Sequence, residues 1–240
     1  MKVYFSNLED LYKKDQKRIE DEIWSLVNVR DSIVVDFGIG RSTEKLVSLG
    51  ARVVAVDNDL RKIRKYSDLD IPLILCDITN FPLRNGLADL SVFYFTLHEV
   101  NPAMHEKVVS AAREISSKIM LVEPLPNGCP AYLRYAKLWR EAMRSIGKFE
   151  DYKPGSYWER LIMKCGFKII VSKIIKSNVN IPIHILEEIV HDTIEKWKEL
   201  SVKNKYINRM KIFLEYAKKN GMRWSDLIVI VGGVILRRLS

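Results

Sequence analysis

The sequence is poor in cysteine and has no long hydrophobic run. Of its 240 residues three are cysteines, and none forms a CxxC pair, which excludes a disulfide framework and favours a reducing compartment. The longest apolar run, residues 227–236, is about half the length that spans a bilayer, and the first residues lack the apolar stretch of a signal peptide. These absences predict a soluble, cytoplasmic protein that does not bind membranes.

Charge is abundant but dispersed. The formal net charge is +9, yet the 39 basic residues are interleaved with 30 acidic ones, and no block of five or six basic residues occurs. Two interpretations stay open at this point: a diffuse, solvated charge, or a binding surface for RNA or an anionic substrate.

Short apolar segments alternate with helical segments along the first half of the chain. Strands are predicted over residues 32–36, 52–56, 72–75, 90–95 and 118–122, and two more over 167–175 and 226–236. Strands that alternate with helices of about ten residues imply right-handed crossovers and a parallel sheet. The predicted fold is therefore α/β, with a doubly wound, mostly parallel seven-stranded sheet.

The helical segments outside this alternation define the domain organisation. We predict a single domain over residues 1–240, with N-terminal helices at 1–29 and a cofactor-binding core at 30–125. Helical insertions at 126–165 and 177–225 are too long for simple turns. They form a cap over an active site, a structural cover or a dimer surface, and the sequence does not choose among these or predict an oligomeric state.

Polar residues follow the predicted strands, where ligands bind in open parallel sheets. The first four strands are followed in turn by Asp36-Phe-Gly-Ile-Gly40, Asp57-Asn-Asp59, Cys76-Asp-Ile-Thr79 and Phe95-Thr-Leu-His-Glu99. Three successive strands thus end near a carboxylate, and like charges gathered at one edge repel one another. This clustering indicates a ligand site rather than a structural feature.

The first of these loops is suited to a nucleotide-like ligand. Gly38 and Gly40 permit close approach of a ligand to the main chain, and the helix that begins near Ser42 offers unpaired N–H groups. Asp57 lies 57 − 38 = 19 residues beyond Gly38, which is the separation at which an acid meets ribose hydroxyls in nucleotide-binding folds.

The segments VVDFGIG, VVAVDND, CDITNFPL and ADLSVFYFTLHEV resemble, in order and spacing, four successive motifs of class I (Rossmann-like) S-adenosylmethionine-dependent methyltransferases. The resemblance covers residues 30–125. It implies that the cofactor is S-adenosylmethionine and that the last two strands form an antiparallel pair.

The resemblance also assigns roles to single residues. Asp36, Gly38 and Gly40 would line the methionine end, and Phe95 would add main-chain contacts there. On the adenosine half, Asp57 would bind the ribose hydroxyls and Asn58 would lie beside the adenosine. Asp77 would accept a hydrogen bond from the adenine amino group, and Ile78 would pack near the ring.

The glycine loop differs at two positions from the patterns of related nucleotide-binding families. The family often has a third glycine where this chain has Ser42, a residue that can cap the following helix. A Rossmann dehydrogenase would need glycine at position 43 to complete GxGxxG, and Thr43 stands there. The dehydrogenase alternative is therefore disfavoured.

Three residues are candidates for the acceptor site. His98 and Glu99 follow the fourth strand and Glu123 follows the fifth, so all three are predicted to line a substrate pocket. His98 is the candidate catalytic residue, because a histidine can take a proton from a hydroxyl or thiol near neutral pH; its alternative role is structural. The spacing of His98, Glu99 and His105 does not put metal ligands on one helix face, and we predict no metal.

The acceptor class stays open. Methyl transfer by in-line displacement to a small molecule is favoured, with RNA or protein as alternatives kept by the basic charge. The Asn/Asp-Pro-Pro-aromatic signature of amino-methylating families is absent after the fourth strand, where Phe95-Thr-Leu-His stands, and a DNA partner is not predicted. An alternative of another class is a non-enzymatic S-adenosylmethionine-binding sensor or partner subunit.

Overall fold

A seven-stranded sheet forms the centre of the fold in the computed structural model, which describes residues 2–82 and 84–234. The strand order is β3-β2-β1-β4-β5-β7-β6. The strands are β1 (Ile33–Phe37), β2 (Arg52–Asp57), β3 (Leu73–Leu75), β4 (Ala88–Tyr94), β5 (Ser116–Pro124), β6 (Lys168–Ile175) and β7 (Leu227–Gly233). The predicted α/β class with a seven-stranded, mostly parallel sheet is confirmed.

The α-helices alternate with the strands up to β5, except between β3 and β4, where a 3₁₀ turn over Ile78–Asn80 takes the place of a helix; beyond β5 helices predominate. They are α1 (Lys2–Trp24), α2 (Arg41–Ser48), α3 (Leu60–Lys65), α4 (His105–Ile115), α5 (Pro130–Arg144), α6 (Gly155–Lys164), α7 (Ile183–Glu199) and α8 (Asn204–Asn220). The helical insertion expected over 177–225 contains two helices, α7 and α8, because Ser201 adopts a left-handed conformation with φ of 56°, which ends a right-handed helix. The strand predicted to reach residue 236 ends at Gly233, and positions 235 and 236 lie outside the described residues.

Parallel pairing joins the first five strands. β1 pairs with β2 on one side and with β4 on the other, β2 also pairs with β3, and β4 with β5. β2 and β3 therefore lie on one side of β1, and the chain then crosses to the other side of β1, where β4 and β5 follow. The carboxyl ends of β1 and β4 form the switch point at which open α/β sheets bind ligands.

Burial of the sheet explains the composition of its strands. Residues 119–122 of β5, together with Val34, Val35 and Phe37 of β1 and Phe93 of β4, have no exposed surface. Strands covered by helices on both faces need a continuous apolar run instead of an alternating one. This is the pattern that identified them in the sequence.

The chain divides into two compact units. The sheet unit consists of residues 24–123 and 153–174 and the chain from Ile228 onward; the helical unit consists of the chain through Ile23 and of residues 124–152 and 175–227. All the residues predicted to bind the cofactor or the acceptor belong to the sheet unit.

An aromatic cluster forms the core of the helical unit. Trp197 is fully buried, Tyr135 contacts Phe213 and Trp224, and burial raises the pKa of Tyr135 to about 12. The Tyr152 hydroxyl donates to the buried Glu150 at 2.6 Å. These aromatic side chains therefore supply the apolar area that holds α5, α7 and α8 together.

Candidate active site

The candidate site lies at the carboxyl ends of the parallel strands. Phe37 of β1 is in register with Val56 of β2 and with Phe93 of β4, so the loops that follow these strands start at the same edge. The predicted residues from Asp36 to Glu123 that follow strands are thereby brought to one edge of the sheet unit.

Asp36 lies beneath the glycine loop, fully buried. The Thr43 hydroxyl donates to its Oδ2 at 2.6 Å and the Ser42 hydroxyl at 3.0 Å, while the Gly40 amide donates to Thr43 Oγ1 at 3.1 Å. Burial raises the pKa of Asp36 to about 7, although the hydrogen bonds from Thr43 and Ser42 act in the opposite direction. The carboxyl group thus anchors the loop from below.

Gly38 has a conformation and a contact that exclude larger residues. Its φ is +104°, and a Cβ there would lie 2.6 Å from Oγ1 of Thr96. That hydroxyl donates to the Phe37 carbonyl at 2.6 Å and so joins the loops after β1 and β4. A side chain at position 38 would therefore disrupt this contact between the two loops.

Gly40 presents a different case. Its backbone is extended, with φ of 177°, which any residue adopts, and an added Cβ would meet nothing within 4 Å. The glycine therefore leaves open space in front of the loop, in the place where the sequence predicts the methionine end of a cofactor.

Asp57 accepts three hydrogen bonds at the end of β2. Its Oδ2 accepts from the Ile39 amide at 2.9 Å and from Lys62 Nζ at 2.9 Å, and its Oδ1 accepts from the Asp59 amide at 2.8 Å. The side chain is 5% exposed. The bond to Ile39 ties the end of β2 to the glycine loop.

The remaining adenosine-side residues are more open. Asn58 and Asp77 are exposed, and Oδ1 of Asp77 accepts from the Thr79 amide at 2.8 Å. Ile78 is 9% exposed. Asp59 caps α3 by accepting from the Arg61 amide, and the hydrogen bond from the Arg61 side chain lowers the pKa of Asp59 to about 2.

Phe95 has a left-handed backbone, with φ of 53°. Its amide donates to the Val122 carbonyl at 2.8 Å, and its side chain is 37% exposed. A non-glycine residue in this region of φ stores strain that the surrounding contacts must hold. The strain turns the chain sharply after β4.

Glu123 is fully buried at the end of β5 and holds the loop after β4. Its Oε1 accepts from the amides of Leu97 at 2.7 Å and Thr96 at 3.1 Å, and its Oε2 lies 2.5 Å from Nδ1 of His98. Because an ionised carboxylate can only accept hydrogen bonds, Nδ1 of His98 is the donor in this contact. The lone pair of a neutral ring then resides on Nε2. Glu99, the third predicted pocket residue, is exposed.

His105 supports the same loop from another direction. Its Nε2 lies 2.9 Å from the Leu97 carbonyl and 3.1 Å from that of Val100, and its Nδ1 lies 2.9 Å from the Tyr157 hydroxyl. Burial lowers the pKa of His105, so the ring is neutral, with Nε2 as donor and Nδ1 as acceptor. His105 is therefore a structural support of the loop that carries His98.

Sequence reasoning missed four residues that organise this site. Thr43 entered the sequence argument only as the absence of a glycine, and His105 only in the argument about metal ligands. Lys62 and Thr96 had no assigned contact. Hydroxyl residues within or up to three positions beyond a strand-end motif are a usable signal, because they can reach nearby carbonyls and carboxylates.

The central segment of the chain matches a known family. A family model described as "Methyltransferase domain" matches residues 35–117, which span the glycine loop, Asp57 and the loop after β4. Residues 35–117 are a methyltransferase domain. The protein is accordingly an enzyme, a methyltransferase that uses S-adenosylmethionine, as its motifs predicted.

Solved structures of methyltransferases share the fold of the enzyme. A protein described as a methyltransferase of an antibiotic biosynthesis pathway from Anabaena variabilis is 13% identical with a TM-score of 0.64, over 90% of this chain and 97% of that one. The 1,6-didemethyltoxoflavin-N1-methyltransferase of Burkholderia thailandensis, with 1,6-didemethyltoxoflavin and S-adenosylhomocysteine bound, is 11% identical with a TM-score of 0.54, over 97% and 87%. A protein described as an RNA methyltransferase from Pyrococcus horikoshii is 14% identical with a TM-score of 0.51, over 92% and 82%. No curated protein matches the sequence.

The site fits S-adenosylmethionine. Space is open in front of Gly40, and carboxylates stand at or just after the ends of β2 and β3; such groups could serve the methionine and adenosine parts of the cofactor. Within residues 2–82 and 84–234, no helix combines the length and apolarity needed to cross a membrane.

Proposed function

We propose that the enzyme methylates a small molecule and binds its cofactor along the carboxyl ends of β1 to β4. The observation that carries the cofactor part is the hydrogen bond from the Ile39 amide to Asp57. Through it, the acid suited to ribose and the glycine loop suited to methionine form one rigid element.

In this proposal the binding roles follow the strand ends. Asp57 binds the ribose hydroxyls, with Asn58 beside the adenosine. Asp77 accepts from the adenine amino group through Oδ2, since Oδ1 already serves Thr79, and Ile78 packs against the ring.

The methionine end lies on the first loop and the loop after β4. Gly38 and Gly40 present main-chain groups to it, Phe95 adds its own backbone, and Asp36 acts from below by fixing the loop. Because Asp36 is fully buried, its role is to position the glycines rather than to touch the ligand.

When bound, S-adenosylmethionine supplies a methyl group on a positively charged sulfur, open to in-line displacement. The chain contributes a proton acceptor. His98 Nε2 takes the proton from the hydroxyl or thiol group that receives the methyl group. Glu123 holds the ring in the tautomer that leaves Nε2 able to take this proton. Glu123 is thus a positioning residue, and Glu99 faces the acceptor at the rim.

Two observations favour a small acceptor. Basic residues are dispersed along the chain instead of forming a block, and RNA-binding surfaces concentrate them. The Burkholderia enzyme of the same fold acts, by its name, on a small heterocycle. The +9 net charge and the fold shared with the Pyrococcus protein described as an RNA methyltransferase support RNA as the second candidate.

Calorimetry with S-adenosylmethionine, S-adenosylhomocysteine and NAD tests the cofactor part. Both sulfur ligands should bind and NAD should not, and Asp57→Ala should lose most of the affinity. The matched control is Asp70→Ala, because Asp70 is an exposed acid between α3 and β3. Absence of binding by either sulfur ligand at millimolar concentration would overturn the proposal.

Transfer of a labelled methyl group tests the acceptor. Pools of small metabolites and bulk RNA should be offered separately, and label should enter the metabolite pool. Label in RNA instead, with binding that weakens steeply as salt rises, would establish the second candidate.

A further inference from the structure

Lys62 shares the oxygen of Asp57 that faces the glycine loop. Its Nζ lies 2.9 Å from Oδ2, and the lysine side chain is 45% exposed whereas that of Asp57 is 5% exposed. Lys62 therefore covers an otherwise buried carboxylate from the solvent side, although the proposed function gives this lysine no part.

The hydrogen-bonding capacity of Asp57 is nearly exhausted. A carboxylate offers about four acceptor positions, and three are filled, by Ile39 N and Lys62 Nζ on Oδ2 and by Asp59 N on Oδ1. A ribose diol donates two hydrogen bonds, one to each oxygen in the bidentate arrangement. Oδ2 has no position for the second donor while Lys62 remains.

Of the three donors, only Lys62 is able to leave. The amides of Ile39 and Asp59 belong to the loops after β1 and β2 and are held by the backbone, whereas Lys62 reaches Asp57 through a long flexible side chain from α3. Its release costs less than that of a buried lysine, because the Lys62 side chain is itself 45% exposed.

We propose that Lys62 competes with the cofactor ribose for Oδ2 of Asp57 and so sets the affinity for the cofactor. The inference rests on the ribose role proposed for Asp57. Lys62 holds Oδ2 until the ribose displaces it.

The surroundings of Lys62 keep its ammonium group charged. Partial burial lowers the pKa of Lys62, but the hydrogen bond and charge of Asp57, with further contributions from Glu99 and Asp59, raise it above its ordinary value. Glu99 and Asp59 therefore add negative charge to the surroundings of the ammonium group. Because the lysine stays protonated through the physiological range, salt rather than pH is the condition that weakens the pair.

The test is calorimetric titration of S-adenosylhomocysteine into the wild type and Lys62→Met, at about 0.05 M and about 0.5 M NaCl, where screening differs strongly. At low salt Lys62→Met should bind roughly two- to fivefold more tightly, the effect expected of a half-exposed ion pair. At high salt the difference should shrink. Lys65→Met, an exposed lysine on the same helix, should match the wild type at both concentrations.

A second variant moves the affinity in the opposite direction. Lys62→Arg presents a planar guanidinium that can hold both oxygens of Asp57, so it should bind S-adenosylhomocysteine more weakly than the wild type. Opposite effects from two substitutions at one position separate competition from a general loss of structure.

Three outcomes would overturn the inference in distinguishable ways. Weaker binding of S-adenosylhomocysteine by Lys62→Met would mean that the lysine contacts the ligand. Equal binding by Lys62→Met and the wild type at both salt concentrations would mean that the lysine does not compete. In both cases the proposed function stands if Asp57→Ala still abolishes binding. Absence of binding by every variant, the wild type included, removes the ribose role of Asp57 and the competition with it.

Discussion

At the residue scale, carboxyl groups that look alike in the sequence have different surroundings. Asp36 is fully buried under two hydroxyls, Asp57 is shared among two amides and a lysine, and Asp77 is exposed with one oxygen used as a cap. A carboxylate at a strand end is therefore available to a ligand only to the extent that neighbouring loops leave its oxygens unused.

The buried Asp36 predicts a pH dependence of stability. Its pKa is about 7 in the folded protein against an ordinary value of 3.8, so the folded state binds a proton that the unfolded state has released. The stabilisation from this proton is complete below about pH 4 and is lost as pH rises to about 7, with a slope of at most about 1.4 kcal/mol per pH unit.

Urea unfolding of the wild type and Asp36→Asn between about pH 5 and pH 8 measures this contribution. The variant should remove part of the decline, because an amide does not ionise. An unchanged decline in the variant would assign the pH dependence to other groups.

Glu123→Gln tests the positioning of His98. The amide oxygen can still accept from Thr96 and Leu97, but its NH₂ group faces Nδ1 of His98 and should turn Nδ1 into an acceptor, which moves the ring proton to Nε2. We expect folding and S-adenosylhomocysteine binding to persist, while methylation of hydroxyl or thiol acceptors falls by a factor of about 10² or more.

Nitrogen chemical shifts of the His98 ring report the tautomer directly and require no acceptor. A ring that keeps its proton on Nδ1 in Glu123→Gln would contradict the role given to Glu123. Glu123→Ala serves as the comparison, since it leaves the buried Leu97 amide and the partly buried Thr96 amide unpaired and should be destabilised by about 2 kcal/mol or more.

At the element scale, the loop after β1 is held by side chains from two neighbouring elements. Thr43 of α2 binds the loop through Gly40 and Asp36, and Thr96 after β4 binds it through the Phe37 carbonyl. The loop is therefore preorganised before a ligand arrives, which reduces the entropy lost on binding.

Two glycines of this loop should respond differently to alanine. Gly38→Ala forces a Cβ to 2.6 Å from Thr96 Oγ1 at a φ of +104° and should cost about 2 kcal/mol of unfolding free energy or more. Gly40→Ala meets open space and should leave stability within about 0.5 kcal/mol while weakening cofactor binding.

Denaturant unfolding and calorimetry on both variants separate the two effects. If Gly40→Ala binds S-adenosylhomocysteine as tightly as the wild type, the ligand does not occupy the space in front of this glycine. Equal stability of the two variants would contradict the contact described for Gly38.

At the scale of the whole molecule, cofactor binding should appear as a gain in stability. A ligand that binds only the folded state at a hundredfold excess over its Kd adds about 2.7 kcal/mol. For a chain of this length that corresponds to a rise in Tm of about 5–10 °C.

Thermal unfolding with increasing S-adenosylhomocysteine measures this gain, and Asp57→Ala should abolish it. Hydrogen exchange should slow in the loops after β1, β2 and β4, where the amides of Ile39, Asp59 and Leu97 are already bonded to acids of the site. Protection confined to other segments would locate the ligand elsewhere.

Much of the fold was predictable because its signals are local. An apolar, β-branched run such as residues 33–35 is largely buried, with Val34 and Val35 fully so, and the acid and glycines that follow it mark the end of a strand. The seven strands, their mostly parallel arrangement and the segment that carries the methyltransferase motifs all follow from such patterns. The bounds of single elements shifted by a few residues, because helix and strand ends depend on capping contacts.

The sequence by itself determined which residues follow the strands, and hence the candidate acids, glycines and histidine. Tertiary structure alone decided which of them are buried and how they pair: Glu123 meets His98 across 25 residues, Thr96 reaches Phe37 across 59, and the Lys62 side chain covers Asp57. The physical reason is that hydrophobic pattern and chain stiffness act over neighbouring residues, whereas a side-chain pair forms only after strand register has set the distances between loops.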